Sequence, residues 1–353
     1  MQKAIIVGAG ISGLSLSGML SPKMEVTILE KAGKAGGLIK CDRVDGALFH
    51  RVGGHVFNSK NPAVLDWFWQ HFDRDKEFLQ ARRNAKILME DKIIGYPLEN
   101  YLYQLPEKYT RPIVEELVAL MSTDNKGETT NFRDFLLNSF GNTLYELYFG
   151  PYNSKIWNTD ISKVPLEWLE GKLPMPSKKE ILINNITRKE ETEMVHASFY
   201  YPKNNGSQFI INRLAEGQDI RLSYDVKSIQ RMDNGQLLIN DEMKSDYVIY
   251  CGDIRELEAV IRTSDERLME ALAAVKGFAS NGTSNVLCET DDNDISWLYI
   301  PEAKYKAHRI IYTGNFSESN NDGRARRTCV VEFSGRQTES YMREELKKLP
   351  GNL

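Results

Sequence analysis

Cysteine is scarce in this chain, and its spacing carries neither a metal-binding nor a disulfide signature. Among 353 residues only Cys41, Cys251, Cys288 and Cys329 occur, with no CxxC pair. That usage argues against structural zinc or a disulfide framework and fits a reducing cytosol. Long apolar runs are missing too, since no stretch approaches the ~20 residues that a membrane-spanning helix needs. The opening MQKAIIVGAG is too short for a signal-peptide core. A cytoplasmic protein without a membrane span is therefore expected, and Asn281-Gly-Thr reads as a plain turn. Positive charge is not in excess either. Lysine and arginine total 45 against 49 acidic residues, for a net charge of −4. No basic field is left to attract nucleic acid, although local cationic pockets for phosphates are still allowed. Repeats and low-complexity tracts are also absent from the sequence.

What the sequence does contain is a βαβ opening. Residues 3–7, Lys-Ala-Ile-Ile-Val, read as a short buried strand, followed by a glycine turn and a helix through Ile11, Leu14, Leu16 and Leu20. Residues 25–30 read as a second strand, the sign of a parallel sheet. Asn61-Pro62 opens a helix, with Asn at the cap and Pro at the first position. Residues 83–96 look like a hairpin turning at Glu90-Asp91-Lys92. Helical periodicity covers 109–122, 131–140 and 142–149, with Thr130 or Asn131 as cap for the second piece. Strand-like alternation returns at 196–201 and 285–316, and 207–216 predicts a helix. Between them, 219–252 suggests two or three strands joined by Asp233-Asn234-Gly235, and 254–275 is helical again.

The expected fold class is α/β: a Rossmann-like FAD-binding domain with an inserted helical domain and an antiparallel β-sheet domain. The nucleotide domain would be discontinuous, formed by 1–60 plus 202–275. A helical domain would take 100–165. A sheet domain contacting substrate would take 61–99, 166–201 and 276–340.

Gly8-Ala-Gly10-Ile-Ser12-Gly13 lies between the first strand and the first helix. The first glycine permits the tight turn, the second lets a pyrophosphate approach the backbone, and the third lets helix and strand pack closely. Glu30 ends the second strand, where a carboxylate can accept hydrogen bonds from ribose hydroxyls. The strand before, the helix after and the acid at the right distance raise this above a bare glycine-rich turn. Lys31-Ala-Gly33-Lys34-Ala-Gly36-Gly37 follows Glu30 and resembles the extended fingerprint of FAD-binding flavoproteins, in which bare backbone runs along a long cofactor. Val226, in Tyr224-Asp225-Val226, resembles the valine whose backbone meets adenine in those proteins, and 246–252 resembles their returning strand. FAD is favoured over NAD, and no metal is expected.

Several further stretches resemble UDP-galactopyranose mutases, most closely the eukaryotic-like branch. Gly53-Gly54-His55-Val56-Phe57 is similar to the family's GGHV segment, and Tyr96-Pro97-Leu98-Glu99-Asn100 to its YPFQN stretch. Pro151-Tyr152-Asn153-Ser154-Lys155-Ile156-Trp157 resembles PYNxKxW. Trp297-Leu298-Tyr299-Ile300-Pro301, followed by Arg309, resembles its WLYFP strand, and Tyr201–Gly206 the loop that usually ends in Gly-Gly. The motifs occur in the family's order along nearly the whole chain. Leu98 and Glu99 replace the family's usual Phe and Gln. Lys172 stands where a substrate-binding arginine is expected, keeping the charge but not the bidentate fork. The family's closing Gly-Arg segment and helix have no counterpart; only a polar helix near 339–348 precedes Leu353, as in a shortened relative or a shortened chain.

The resemblance implies interconversion of UDP-galactopyranose and UDP-galactofuranose, without net redox change, for cell-surface polysaccharide synthesis. It implies reduced FAD, an adduct between flavin N5 and the sugar, and a nucleotide-sugar partner. Under it, His55 tunes the flavin through its carbonyl or imidazole, and Arg309 and Lys172 neutralise the diphosphate. Tyr96, Trp157 and Tyr299 stack on the base or donate to phosphate, with Asn153 beside them. The residues taken alone also admit blander roles. His55 could be a hydrogen-bonded core histidine, Arg309 and Lys172 solvated cations, the three aromatics core packing, and Tyr152 and Asn153 the braces that aim Trp157. Exposed aromatics in the helical block are candidates for a homo-oligomer interface. The competing functions are a FAD-dependent oxidoreductase of the amine-oxidase or protoporphyrinogen-oxidase type, which needs an apolar cavity, and a nucleotide-binding protein without catalysis.

Overall fold

Ala4, Ile5 and Ile6 are all buried, as a strand covered on both faces requires. In the computed structural model, which describes residues 1–122, 129–169, 177–189 and 197–351, Lys3–Val7 lies inside a parallel sheet. The order is Tyr247–Tyr250, Lys3–Val7, Glu25–Leu29, Asp219–Arg221. Two strands thus come from the first thirty residues and two from beyond residue 218. The helix Ile11–Leu20 makes the crossover, and Ser207–Ala215 packs against it.

A second four-stranded sheet adjoins the first, ordered Met243–Ser245, Leu237–Ile239, Ile229–Arg231, Ile261–Arg262. Residues 219–252 therefore hold five short strands where two or three were expected. The extra reversal is at Asn240-Asp241, both with positive φ (49° and 61°). They are the central pair of a turn closed by the Glu242 amide donating to Ile239 O at 3.1 Å, a backbone conformation that Asn and Asp tolerate better than most residues. The stretch 254–275 is not one helix either. Leu257–Val260 gives way to Ile261–Arg262, and Glu266–Lys276 starts anew where the Asp265 side chain accepts from the Arg267 and Leu268 amides.

The largest sheet has six strands, ordered Thr283–Thr290, Arg327–Ser334, Ala307–Ile311, Trp297–Tyr299, Ala85–Met89, Lys92–Gly95. Its pairings are antiparallel except where Trp297–Tyr299 meets Ala85–Met89 in parallel. That junction joins elements some 200 residues apart, a pairing no local pattern encodes. Side chains alternate between the two faces. Ile87, Trp297, Tyr299 and Ile311 face the helices Glu107–Ser122 and Phe132–Phe140. Leu88, Leu298, Ile310 and Val331 face the other way, toward Met342 of the Glu339–Leu346 helix.

Helix starts follow their capping residues. Asn61 accepts from the Ala63 amide ahead of Pro62, and Asn131 from the Asp134 amide. The helix expected over 142–149 runs on as a widened turn, Tyr145–Phe149, and then Gly150–Trp157. Pro151, which has no N–H to donate, follows the widening directly. Among the described residues no helix is long and apolar enough to cross a membrane.

Candidate functional site

Two clefts and an ion pair whose carboxylate is buried carry the chemistry. The first cleft, about 1000 Å³, opens at the ends of the central parallel strands and is lined by Gly8, Gly10, Ser12, Glu30, Lys31, Gly37 and Val226 among others. This is where ligands bind in open α/β sheets. Gly8 turns at φ 108°, and a Cβ on Gly13 would lie 2.0 Å from the Gly8 carbonyl oxygen, so the helix can seat only on glycine there. Gly10 and Gly37 approach backbone to backbone, and the Gly36 amide donates to Ala9 O at 3.0 Å. The expected ribose acceptor, Glu30, also braces the turn, accepting from the Ala9 and Ala32 amides at 2.8 Å each. Lys31 pairs with Glu256 at 3.2 Å, and Val226 is buried in the wall.

Next to this cleft lies the His55 loop. Gly53 is buried with φ 62°, and a Cβ there would sit 3.5 Å from a Glu332 carboxylate oxygen. Gly54 serves packing, because a Cβ would come within 2.5 Å of Ile311 Cγ2. Burial lowers the His55 pKa, against the opposing pull of the Val52 and Leu38 backbone and of Glu332. Its Nε2 is buried without a hydrogen-bond partner, and a buried polar atom without one is costly. An orphaned imidazole nitrogen beside a cleft floored by bare glycine backbone fits a flat, hydrogen-bonding cofactor such as a flavin.

Arg309 lies on the central strand Ala307–Ile311, directly opposite Glu332 in the register. Its guanidinium Nε donates to a Glu332 carboxylate oxygen at 2.5 Å, and Nη2 makes an ion-pair contact with the same oxygen. Glu332 is 2% exposed and also lies 3.6 Å from His308 Nε2. Burial pushes the Glu332 carboxyl up, but the His308 hydrogen bond and the Arg309 charge hold it below its ordinary value. Burial likewise works against the Arg309 charge, yet Glu332, Tyr299 and Tyr152 keep its pKa above the usual one.

Tyr299 joins this pair to the second cleft. Its ring stacks on Tyr96 at 4.7 Å and meets Tyr152 edge-on at 5.7 Å. Its hydroxyl accepts from Arg83 at 2.6 Å, and the Arg83 guanidinium lies 4.8 Å from the Tyr96 ring centre, a cation–π contact. The second cleft, about 930 Å³, is lined by Arg82, Arg83, Lys86, Arg188, Tyr96 and Tyr103 among others. Four cations with aromatic rings suit an anionic ligand bearing a planar base.

The structure thus gathers His55, Arg309, Tyr96 and Tyr299 with Glu332. Trp157 ends its helix 37% exposed, its ring edge-on to Trp168 at 5.2 Å; among the described residues it makes no ring contact with the tyrosine stack. Asn153 donates to Phe149 O at 2.8 Å and so braces its own helix. Lys172 lies outside the described residues. Sequence reasoning missed Glu332 and Arg83. Glu332 carried a signal, as a lone carboxylate in the apolar run Cys-Val-Val-Glu-Phe, the same mark that singled out Arg309.

A family model described as an NAD(P)-binding Rossmann-like domain matches residues 6–72. The UDP-galactopyranose mutase of Mycoplasma pneumoniae is 25% identical over 72% of this chain and 62% of its own length. The dTDP-fucopyranose mutase of Escherichia coli is 23% identical over 50% of this chain and 46% of its own. This chain thus spans less than two thirds of these curated relatives. A crystal structure of reduced UDP-galactopyranose mutase superposes with a TM-score of 0.88 at 20% identity, covering 100% of this chain and 81% of that one. In sequence the chain is similar to UDP-galactopyranose mutases, and its fold is that of the reduced UDP-galactopyranose mutase structure.

Proposed function

We propose that the chain is a FAD-dependent nucleotide-sugar mutase, interconverting UDP-galactopyranose and UDP-galactofuranose in the cytoplasm for cell-surface polysaccharide synthesis. The observation that carries this reading is the Arg309–Glu332 pair, which meets the Gly53–His55 loop at Glu332 and reaches the cation-lined cleft through Tyr299, paired with Arg309 and stacked on Tyr96. FAD would lie in the first cleft, held by Gly8, Gly10, Gly37, Glu30 and Val226, with the isoalloxazine near His55. When bound and reduced, it supplies the nucleophile for the anomeric carbon. The orphaned His55 Nε2 would donate to or accept from the ring system and fix its electronics.

The nucleotide would enter the second cleft, with its base against Tyr96 and its diphosphate toward Arg83 and Arg309. Arg309 is already oriented by Glu332, so it can stabilise the leaving diphosphate without reorganising. Tyr299, hydrogen-bonded to Arg83, would present its hydroxyl to the same phosphates. A cleft lined by four cations does not suit an amine substrate, which is itself cationic at neutral pH. The relative acting on dTDP-fucopyranose shares the nucleotide-diphosphate chemistry, which is the part these cations would read.

The test reconstitutes the protein with FAD, reduces it, and supplies UDP-galactofuranose while monitoring UDP-galactopyranose by chromatography. Pyranose should form only in the reduced sample. No product from protein shown to hold reduced FAD would sink the mutase reading. Oxidation of an added amine, with peroxide released, would favour the oxidase.

A further inference from the structure

Cys288 and Cys329 stand 41 positions apart in sequence but face each other directly in the register of the Thr283–Thr290 and Arg327–Ser334 strands. Directly opposed residues in an antiparallel ladder have Cα atoms about 4.5–5.5 Å apart, inside the ~4.4–6.8 Å range that a disulfide spans. Both are free thiols, and each is the largest influence on the other's proton affinity. The Cys288 thiol also has the Val286 carbonyl oxygen within reach as acceptor at 3.9 Å. Both sulfurs lie on the face of the sheet covered by Met342 and Leu346 of the last helix. Thr283–Thr290 is the edge strand, and Cys288 is only partly covered whereas Cys329 is 3% exposed.

We propose that Cys288 and Cys329 form a redox-active cross-strand dithiol, a modification site that hydrogen peroxide converts to a disulfide and a small dithiol converts back. The pair is asymmetric in the sense this chemistry needs. The Cys329 thiol beside it lowers the Cys288 pKa against burial, with Arg343 adding to it, while Cys288 and burial push Cys329 well up. Cys288 is therefore the attacking sulfur and Cys329 the resolving one. The Cys288 thiolate attacks one peroxide oxygen and breaks the O–O bond. Cys288 becomes a sulfenic acid, and hydroxide leaves and takes up a proton as water. Cys329 then gives up its proton and attacks the Cys288 sulfur, forming the S–S bond and releasing a second water. In sum two thiols are oxidised and one peroxide is reduced to two waters. A dithiol reductant reverses the bond by exchange, becoming a disulfide itself. The new bond would tie the edge strand to the strand that carries Glu332 three residues further on.

The other cysteines serve as internal controls. Burial raises the pKa of both Cys41 and Cys251, and neither has a cysteine opposite it. The experiment treats the full chain with equimolar hydrogen peroxide, quenches at intervals and maps the unreduced peptides by mass spectrometry. A Cys288–Cys329 cross-linked peptide should appear at least ~10-fold faster than oxidation of Cys251, and dithiothreitol should return it to two thiols. In C329S, Cys288 should stop at the sulfenic acid and be trapped by dimedone, whereas C288S should leave Cys329 unreacted. The wild-type measurement stands by itself if either variant folds poorly. Oxidation of Cys251 or Cys41 ahead of the pair, or stable free thiols at Cys288 and Cys329 after peroxide, would overturn the proposal. None of these outcomes depends on mutase activity.

Discussion

Replacing Glu332 should reveal how far the Arg309 guanidinium depends on one carboxylate. Glu332 is 2% exposed, accepts from Arg309 Nε and pairs with its Nη2. Removing one member of a buried pair typically costs about 3–5 kcal/mol, because the remaining charge is left without compensation. The Arg309 side chain keeps 30% of its exposure, so water relieves part of that cost. Glu332→Ala should therefore lose about 2–3 kcal/mol of folding stability. Glu332→Gln should lose less, about 1–2 kcal/mol, because the amide oxygen still accepts one guanidinium hydrogen bond. The double variant Arg309→Met, Glu332→Gln removes both charges and should recover most of the single-variant loss, giving a coupling energy of about 1–2 kcal/mol. Urea denaturation of the wild type, Arg309→Met, Glu332→Gln and the double variant for the cycle, with Glu332→Ala alongside, followed by far-ultraviolet circular dichroism, measures each term. Strict additivity, with coupling below about 0.5 kcal/mol, would refute the pair as an electrostatic unit. The paired Glu332 carboxyl titrates below its ordinary value. Its contribution is therefore complete above the unfolded carboxylate pKa and is lost as pH falls through the folded one.

Gly13→Ala would place a methyl 2.0 Å from the Gly8 carbonyl, so the variant should purify without a flavin absorbance band, or not fold; a normal flavin content would contradict the packing role. His50 is wholly buried, and burial, with His55 adding to it, lowers its pKa to about 3. Between about pH 6.5 and 3 the unfolded chain takes a proton that the folded one refuses, so stability should fall with pH at up to about 1.4 kcal/mol per unit from this group. Comparing the wild type with His50→Gln across that window isolates the slope, and identical slopes would exclude His50 as its source. Lys155 donates to the Ile300, Glu302 and Ala307 carbonyls at 2.7, 2.8 and 3.4 Å. Lys155→Met should cost about 2–4 kcal/mol by leaving acceptors unpaired, visible as a lowered urea midpoint.

Much of the glycine-floored cleft's backbone geometry was legible because its determinants are local. Gly8, Gly10, Gly13 and Glu30 fall within one βαβ unit, where steric freedom and chain direction fix what each can do. The caps at Asn61 and Asn131 are equally local, each accepting an amide two or three residues ahead. Arg309 was legible for another reason, since a cation in an apolar strand must find compensation somewhere. The sequence could not say that the compensation is Glu332, nor that Gly54 serves Ile311.

By itself, then, the sequence determined the glycine turn of the βαβ opening, many of the strand and helix periods, and a short set of residues with chemistry to place. The tertiary structure alone decided which of them meet. Arg83 reaches Tyr96 and Tyr299 because two distant segments join in parallel at the middle of the large sheet. Cys288 faces Cys329 because the edge strand adopts one register out of several. Trp157 turned out to meet Trp168 and not the tyrosine stack. Backbone sterics act over a few residues and can be read from neighbours in the chain. Pairing register and side-chain contact are fixed by burial of the whole core, and a one-residue slip would exchange every face.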